Sequence, residues 1–213
     1  MHLKTLKSDV TVSFLTLDHL RMLLSFDCGA GGEEQTDFAR NLAWNFHRNC
    51  LSTVYIILLN SEVVSYFTLS PFIISIKVKS DMPEERRLLI EELKRTLCSK
   101  IGAEIRYSSL PTILLGQFGV NKKYRGKKIG KEILGRIIIP FAVYFAANIG
   151  GIGLSLHANK KVAKKFYLAE NPYLPGKFEI ISRGRTYELL YPFLDEVRSL
   201  RELFYNSERF KNV

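Results

Sequence analysis

The chain has 213 residues, of which 46% are hydrophobic, and a formal net charge of +10 at pH 7. This length favours one domain with appendages over two domains, and the charge favours a polyanionic partner, either nucleic acid or a phosphate-rich cofactor. The three cysteines form no C-x-x-C pair and the four histidines are scattered, so we predict no disulfide scaffold, no metal site and a cytoplasmic location. No charged-then-apolar leader opens the chain, and the longest apolar run, Ile137 to Ala147, is too short to span a bilayer, so no membrane partner is expected.

The first seventy residues predict a strand, two helices and a hairpin. Val10 to Leu17 has the β-branched and aromatic content of a strand, and Asp18 is placed to cap a short helix that ends at Phe26. A glycine-rich break at residues 29–32 precedes a second helix that begins at Glu33. Helical spacing predicts that this helix buries Phe38, Leu42, Ala43 and Phe46. Two strands, at 53–59 and 63–69, then pair across a tight turn at Asn60.

The middle of the chain predicts an insertion followed by a buried strand and a long helix. The insertion covers Ile74 to Leu110, with a short strand and then a helix from Pro83 to Ile101 that Gly102 closes. Pro111 to Val120 is a nearly continuous apolar run, which is typical of a strand buried on both faces. The long helix spans residues 127–148, with a kink expected at Pro140.

The last sixty residues predict a buried strand from Gly151 to His157, a helix from Lys160 to Ala169, a hairpin and a final helix. The hairpin strands are Phe178 to Ser182 and Thr186 to Tyr191, and the amphipathic last helix covers residues 194–210. No repeat, low-complexity tract or linker interrupts the chain. We therefore predict one mixed α/β domain over residues 1–213, with a C-terminal helical extension at 192–213.

The most informative stretch runs from Gln117 to Leu134: a strand that stops, a basic glycine-containing turn, and a helix that begins at once. Such a turn directs unpaired backbone N–H groups and the positive end of the helix dipole at one point, which suits a phosphate. From Lys122 to Arg136 inclusive there are seven Lys and Arg side chains, against the single carboxylate of Glu132. These charges would repel one another unless an anion or water screened them, so we predict a bound anion.

Two segments in this order resemble the GCN5-related N-acetyltransferase (GNAT) superfamily. Arg125-Gly-Lys-Lys-Ile-Gly130 is similar to the family's R/Q-x-x-G-x-G/A acetyl-CoA motif, and the segment from His157 to Tyr167 is similar to its strand-N-x-x-A-x-x-F-Y segment. The resemblance covers Val10 to Tyr191. It implies a mixed central β-sheet flanked by helices, with acetyl-CoA as co-substrate and no metal.

A narrower resemblance is to the acetyltransferase toxins of bacterial toxin–antitoxin pairs. It is carried by Phe26-Asp-Cys-Gly29, Tyr66-Phe-Thr-Leu-Ser70 and Pro111-Thr-Ile-Leu-Leu-Gly116. It implies the α-amine of aminoacyl-tRNA as acceptor, an antitoxin protein as partner, and association into a homodimer. The chain departs from these toxins in its insertion and in a longer loop that ends at Phe178, where the family has glycine-phenylalanine soon after the tyrosine.

The resemblance assigns two sets of residues. Tyr167 would be the catalytic acid that protonates the departing thiolate, and a Val120 N–H would face the thioester oxygen. The residues that would bind acetyl-CoA are Phe118, Gly119, Val120, Arg125, Gly126, Lys127, Lys128, Ile129, Gly130, Lys131 and Asn159. Asn159 would also cap the helix that follows it. Lys128 departs from the family, which usually has glycine at that position so that the backbone can approach the pyrophosphate; we expect its Cβ to point outward.

Structural interpretations stand beside these assignments. Without the resemblance, Tyr167 would be interpreted as a core aromatic residue, and His157 as a buried core histidine. A lysine stripe, formed by Lys160, Lys161, Lys164 and Lys165, fits either a solvated helix face or, together with Lys122 and Lys123, a surface for RNA phosphates. The leading function is an aminoacyl-tRNA N-acetyltransferase. The alternatives are an acetyltransferase for proteins or small amines, and an inactive basic nucleic-acid-binding module.

Overall fold

A computed structural model of the chain describes residues 2–4, 8–78, 80–102, 104, 106–126 and 128–206. The chain divides into two compact units. The first unit contains the residues up to Ser70 together with Leu115–Ile138, and the second contains Pro71–Leu114 and the residues from Ile139 onward. The single domain expected over the whole chain stays a prediction.

Most strands of the described residues belong to one mixed sheet. The strands are β1 (His2–Leu3), β2 (Ser8–Asp9), β3 (Thr11–Phe14), β4 (Thr53–Leu59), β5 (Glu62–Ser75), β6 (Ser109–Val120), β7 (Gly153–Asn159), β8 (Glu179–Arg183) and β9 (Thr186–Pro192). β1 and β2 form a small antiparallel sheet, and the other seven strands follow the order β3-β4-β5-β6-β7-β9-β8. β6 and β7 are parallel, with Ile113 opposite Leu154, whereas β4 is antiparallel to β3 and β5, and β9 to β7 and β8. The predicted α/β class with a mixed sheet is confirmed.

Helices flank this sheet, and several contain a widened π-helical turn. The α-helices are α1 (Leu17–Leu24), α2 (Glu33–Asp37), α3 (Ala43–Arg48), α4 (Glu84–Ile101), α5 (Ile129–Ile133), α6 (Ile139–Ile149), α7 (Lys160–Val162) and α8 (Leu194–Asn206). The π-helical turns are Phe38–Leu42, Leu134–Ile138 and Ala163–Tyr167. Each π turn continues a neighbouring α-helix directly, so the three predicted helices that contain these turns are present but locally widened.

The core of the first unit lies between α1, the α2–α3 helix and the sheet. Phe26, Phe38, Val54 and Tyr66 are among its buried members. The predicted apolar face of the α2–α3 helix is correct for Phe38 and Ala43, but the Leu42 side chain is 40% exposed. It belongs to the π turn, and a wider turn rotates the residues that follow away from regular helical spacing.

The start of α1 differs from the prediction. Asp18 does not cap this helix; the N-cap is Thr16, whose N–H donates to Nδ1 of His19 at 3.1 Å. Asp18 lies in the first turn, where a carboxylate still stabilises the positive end of the helix dipole. The helix therefore begins earlier than its acidic residue suggested.

The core of the second unit joins the insertion to the C-terminal hairpin. α4 packs against β8 through Ile90, Leu93 and Leu97. The predicted helix of the insertion is confirmed, and Gly102 closes it with a φ of 69° in the left-handed region. The short strand expected before it is instead the end of β5, which continues through Pro71 to Ser75. The final helix, α8, packs on α6, and the predicted extension to residue 210 lies outside the described residues.

The long helix after β6 is irregular just before Pro140. Its π turn, Leu134–Ile138, lies in the turn just before Pro140. Proline has no N–H to donate to a carbonyl in that turn, and its ring pushes the carbonyl away. Within the described residues, the combined helix Ile129–Ile149 is 21 residues long and apolar enough by length and composition to cross a membrane. Because 56% of its most apolar stretch is buried inside the protein, it also satisfies the description of a core helix.

Candidate functional site

The basic turn of the first unit begins where β6 ends. The N–H of Asn121 donates to the carbonyl of Val64 at 2.9 Å, and its side-chain oxygen accepts the N–H of Lys123 at 3.2 Å. An asparagine that bonds two residues ahead closes a turn, and a short 3₁₀ helix, Lys122–Tyr124, follows. Neighbouring strand β5 therefore fixes the point at which the chain leaves the sheet.

Carboxylates from two distant loops hold the side chains of this turn. Lys122 Nζ lies 2.7 Å from Asp27 Oδ2, and Lys123 Nζ lies 3.1 Å from Glu62 Oε1. The hydroxyl of Tyr124 donates to the other oxygen of Glu62 at 3.0 Å. These bonds lower the pKa of Asp27, chiefly through Lys122, and the pKa of Glu62, chiefly through Lys123. Both carboxylates are thereby held as anions.

Arg125 is directed at the loop between α1 and α2. Its Nη1 donates to the carbonyl of Ala30 at 3.1 Å. A Cβ at Gly32 would lie only 2.6 Å from Arg125 Nη2 and 2.5 Å from the Cβ of Cys28, so the guanidinium fits because Gly32 has no side chain. The side chain of Arg125 thus ties this loop to the turn.

The sequence interpretation of the charges in this turn was incomplete. It took Glu132 as the only carboxylate near these cations, whereas Asp27 and Glu62 pair with Lys122 and Lys123. Both are far away in sequence, and no local pattern joins them to the turn. Asp27 does belong to the Phe26-Asp-Cys-Gly29 motif, which was the available signal. Much of the positive charge of residues 122–125 is therefore neutralised within the protein.

The backbone after Arg125 has the conformation of an anion-binding nest. Gly126 has a φ of +85°, and Lys128 has φ +58° and ψ +10° before Ile129 begins α5. Alternation of left-handed and right-handed residues turns successive N–H groups toward one point. The carbonyl of Lys128 already accepts the N–H groups of Lys131 and Glu132, while Ile129 and Gly130 are the first helical residues, which have no earlier turn to accept their N–H groups. Lys127 lies outside the described residues.

The left-handed conformation of Lys128 accounts for the glycine that the family usually has at this position. A non-glycine residue in this region costs about 1 kcal/mol, which is why glycine is preferred there. Lys128 is exposed, as expected for an outward side chain, and its charge adds to the positive end of the helix.

The end of β6 packs too closely on its neighbours for larger residues. A Cβ at Gly119 would lie 2.6 Å from the ring of Tyr66, and the N–H of Gln117 donates to the hydroxyl of Thr68 at 2.8 Å instead of to a strand carbonyl. Burial raises the pKa of the Cys28 thiol, and a hydrogen bond from the Val120 amide partly offsets this rise. The amide proposed to face a thioester therefore lies beside Cys28.

Glu132 fixes the N-terminal segment to the helix of this turn. Its side chain is fully buried, accepts the N–H of Lys4 at 2.7 Å, and lies 3.4 Å from Nε of Arg136. A buried carboxylate needs such partners because leaving water is costly for a charge. Glu132 is a structural residue of α5.

In the second unit, Asn159 ends β7 and caps α7. Its side-chain oxygen accepts the N–H of Val162 at 2.9 Å, so the expected capping role is confirmed. His157, two residues earlier, is exposed and meets Phe72 edge-on at 6.0 Å between ring centroids. The interpretation of His157 as a buried core histidine is wrong: Ser155, two residues earlier on the same face of β7, is buried, but the strand becomes exposed on this face at His157 and Asn159.

Tyr167 is the last residue of the π turn Ala163–Tyr167. The N–H of Leu168 donates to the carbonyl of Ala163 at 2.9 Å, a five-residue step that defines the wider turn. The ring of Tyr167 is partly buried between those of Phe166 and Phe178. Burial raises the pKa of its hydroxyl, which therefore stays protonated near neutral pH.

The lysine stripe on the same helix is exposed. Among the described residues, no carboxylate lies within ion-pairing distance of Lys160, Lys161, Lys164 or Lys165. This distinguishes them from Lys122 and Lys123, which the sequence analysis had placed on the same RNA surface. The described residues also contain no group of three or more His, Cys, Asp or Glu side chains that could hold a metal ion.

Comparison with known proteins identifies the fold. No protein-family model and no curated protein sequence matches the chain. Solved structures do: a mutant of KacT (TM-score 0.65, 18% identity, 91% of this chain and 99% of that one) and AtaT complexed with acetyl-methionyl-tRNAfMet (0.62, 20%, 92% and 99%). A third is a mutant of the toxin AtaT bound to acetyl-CoA and the C-terminus of the antitoxin AtaR (0.60, 18%, 91% and 98%). The chain therefore has the fold of the GNAT acetyltransferase toxins.

Proposed function

We propose that the protein is an acetyl-CoA-dependent N-acetyltransferase whose acceptor is the α-amine of an aminoacyl-tRNA. The observation that carries the proposal is the nest formed by Gly126, Lys128 and the start of α5. It combines turned N–H groups, a helix terminus and an exposed lysine at one point, as a pyrophosphate requires. The fold shared with structures that hold acetyl-CoA supports the same ligand.

In this proposal the cofactor is bound mainly by backbone groups of the first unit. Amides from Gly126 to Lys131 would hold the pyrophosphate, with the charges of Lys128 and Lys131 beside it. The pantetheine arm would lie along Phe118, Gly119 and Val120. The side chain of Arg125 would support the turn and would not contact the pyrophosphate, because it already bonds to the carbonyl of Ala30.

Tyr167 would supply the proton that the reaction needs at its end. The acceptor nitrogen forms a bond to the acetyl carbon, the carbon–sulfur bond breaks, and the phenol donates its proton to the departing sulfur. A phenol with a raised pKa is fully protonated at neutral pH, which is the state that an acid must have. The AtaT and KacT mutants that match this chain each carry a tyrosine-to-phenylalanine exchange, which is the exchange that we propose for Tyr167.

An aminoacyl α-amine suits a site without a strong base. Its pKa is about 8 or below, against about 10.4 for a lysine ε-amine, so much of it is neutral before it binds. The lysine stripe supports a phosphate-rich acceptor, since four exposed cations on one helix lack carboxylate partners in the described structure. AtaT in complex with acetyl-methionyl-tRNAfMet is consistent with such an acceptor.

A protein partner is part of the same proposal. AtaT is found with the antitoxin AtaR, and KacTA is found with DNA. We therefore expect expression of this chain alone to arrest growth, and co-expression with its antitoxin to restore it.

The test compares acetylation of several acceptors in parallel reactions. The protein is incubated with labelled acetyl-CoA and, in parallel, with charged tRNA, uncharged tRNA, small primary amines and a protein extract. Label on charged tRNA alone supports the proposal, and label only on amines or proteins replaces the acceptor with one of those classes. If no fraction is labelled while RNA still binds with a strong salt dependence, the protein is an inactive nucleic-acid-binding module.

A further inference from the structure

The ring of Tyr167 belongs to a column of aromatic side chains in the second unit. We call Phe166, Tyr167, Phe178 and Tyr191 the aromatic column. Tyr167 meets Phe166 edge-on at 4.9 Å between centroids and Phe178 edge-on at 5.4 Å, and Phe178 meets Tyr191 at 5.3 Å. Phe178 is 3% exposed and Tyr191 is 1% exposed, so the far end of the column is embedded in the core. Tyr167 thus lies in the partly buried half of the column, between Phe166 and the buried Phe178.

The far end of the column is tied to loop 171–177. The hydroxyl of Tyr191 accepts the N–H of Gly176 at 3.1 Å, and a Cβ at Gly176 would lie 3.4 Å from that hydroxyl. Asn171 closes the start of the loop, since its side-chain oxygen accepts the N–H of Tyr173 and its carbonyl accepts that of Leu174. The loop therefore has a defined shape where it leads into Phe178.

The direction of the Tyr167 ring is set by packing and not by the backbone of its turn. The π turn here includes a five-residue hydrogen bond, from the N–H of Leu168 to the carbonyl of Ala163, and is wider than an α-helical turn. Phe178, in contrast, lies next to Glu179, which is paired with Leu190 in the β8–β9 hairpin. The hairpin fixes Phe178, and Phe178 in turn supports the Tyr167 ring.

We propose that Phe178 and Tyr191 are positioning residues for the hydroxyl of Tyr167, and that loop 171–177 holds them in register. The proposal rests on the proposed function, in which Tyr167 is the acid. It also gives the loop a role: although the chain lacks a glycine-phenylalanine pair directly after Tyr167, Phe178 packs on the Tyr167 ring from further along the sequence, and Gly176 bonds to Tyr191 behind it. A displacement of about 1 Å at a reacting group can cost about a hundredfold in rate, so small changes in the column are measurable.

Steady-state kinetics in two backgrounds test this role. In the wild-type background, Phe178→Leu should lower kcat about tenfold to a hundredfold and leave KM for acetyl-CoA unchanged, because the ring loses its edge-on support. Tyr191→Phe, which removes only the hydroxyl that receives Gly176, should lower kcat by a smaller factor, about threefold to tenfold. In the Tyr167→Phe background, both changes should alter kcat by less than about twofold, since groups that act as a unit are not additive.

The matched control is Tyr187→Phe, the same exchange on the same strand β9 but outside the aromatic column; its kcat should equal that of the wild type. Equal losses in both backgrounds, or wild-type kcat in Phe178→Leu, would overturn the role. If Phe178→Leu does not fold, the two Tyr191→Phe measurements decide alone. A wild-type protein that acetylates no amine overturns the proposed function and this role together, whereas an active enzyme indifferent to the column overturns only the role.

Discussion

Two basic segments of the chain are alike in sequence and opposite in the use of their charges. Residues 122–128 and the lysine stripe at 160–165 each contain two pairs of adjacent lysines within a few positions. In the first, Lys122 and Lys123 are paired with Asp27 and Glu62, and Arg125 bonds to a backbone carbonyl. In the second, the lysines are exposed and, in the described structure, none forms an ion pair.

The two segments therefore differ in what their lysine side chains do: those of the first anchor the turn, and those of the second are available to bind a ligand. In the first segment the side chains hold the turn in place, and the backbone amides and the helix terminus that follow are the groups available to an anion. In the second, the side chains themselves are available, as non-specific contact with RNA phosphates requires. A count of lysines cannot distinguish these cases; the positions of carboxylates from distant loops can.

The largest expected effect is a loss of catalytic rate at Tyr167, which follows the second segment in the same helix. Tyr167→Phe removes one hydroxyl and leaves the ring within its column, so the protein should fold normally. General acid catalysis is worth about a hundredfold to ten-thousandfold, and the loss should appear mainly in kcat. Single-turnover kinetics with labelled acetyl-CoA measure this change. A wild-type kcat would return Tyr167 to a purely structural role in the second unit.

The second effect tests whether the backbone of the first segment binds the anion. Gly130→Asp places bulk and a negative charge at the helix start and should weaken acetyl-CoA binding about tenfold or more. Gly130→Asn has the same shape without the charge and should weaken it less, while Lys123→Gln, which removes an anchored side chain, should leave the affinity within about twofold. Calorimetry on folded proteins measures all three.

The order of these affinities shows whether the backbone or the side chains of the first segment bind the anion. If Lys123→Gln weakened acetyl-CoA binding as much as Gly130→Asp did, the side chains of the first segment would be ligands after all. Equal affinities for Gly130→Asp and the wild type would move the pyrophosphate away from the turn.

The third effect tests the second segment. Replacing Lys160, Lys161 and Lys164 with alanine should raise KM for charged tRNA and leave the affinity for acetyl-CoA nearly unchanged. Each lysine that no longer neutralises a phosphate should flatten the dependence of log binding constant on log salt by about one unit. The matched control is Lys122→Ala with Lys123→Ala, where the cations are already paired and the slope should hardly change. An unchanged slope in the triple variant would make the stripe a solvated face.

Local features of this fold could be predicted from the sequence, and some of them to the residue. Gly102 closes α4 and Asn159 caps α7. Each depends on groups that are neighbours in sequence, so propensity and capping chemistry suffice. The same is true of the left-handed position that Lys128 occupies, which the family pattern marks with glycine.

The features that could not be predicted depend on distant contacts. The π turns that contain Leu42 and Tyr167 place these residues differently from a regular helix, and no local pattern predicts them, whereas Pro140 did indicate an irregularity in the long helix. β5 continues through Pro71, which propensity would make a strand end, because neighbouring packing outweighs a single missing donor. His157 is exposed because its face of β7, buried at Ser155, is no longer covered toward the end of the strand, which is a property of the assembled sheet and not of the residue.

The smallest expected effect concerns pH and the anchors of the first segment. Asp27 and Glu62 have lowered pKa values in the folded protein, so their contribution to stability is fully present above the unfolded-state values, about 3.9 for Asp and about 4.3 for Glu. It is lost as the pH falls through the lower folded-state pKa values. The double variant Asp27→Asn with Glu62→Gln should therefore melt slightly below the wild type at pH 6, and the difference in Tm should shrink toward zero as the pH approaches 3. A gap between the double variant and the wild type that persisted at pH 3 would mean that these side chains stabilise the turn through packing and not through their charge.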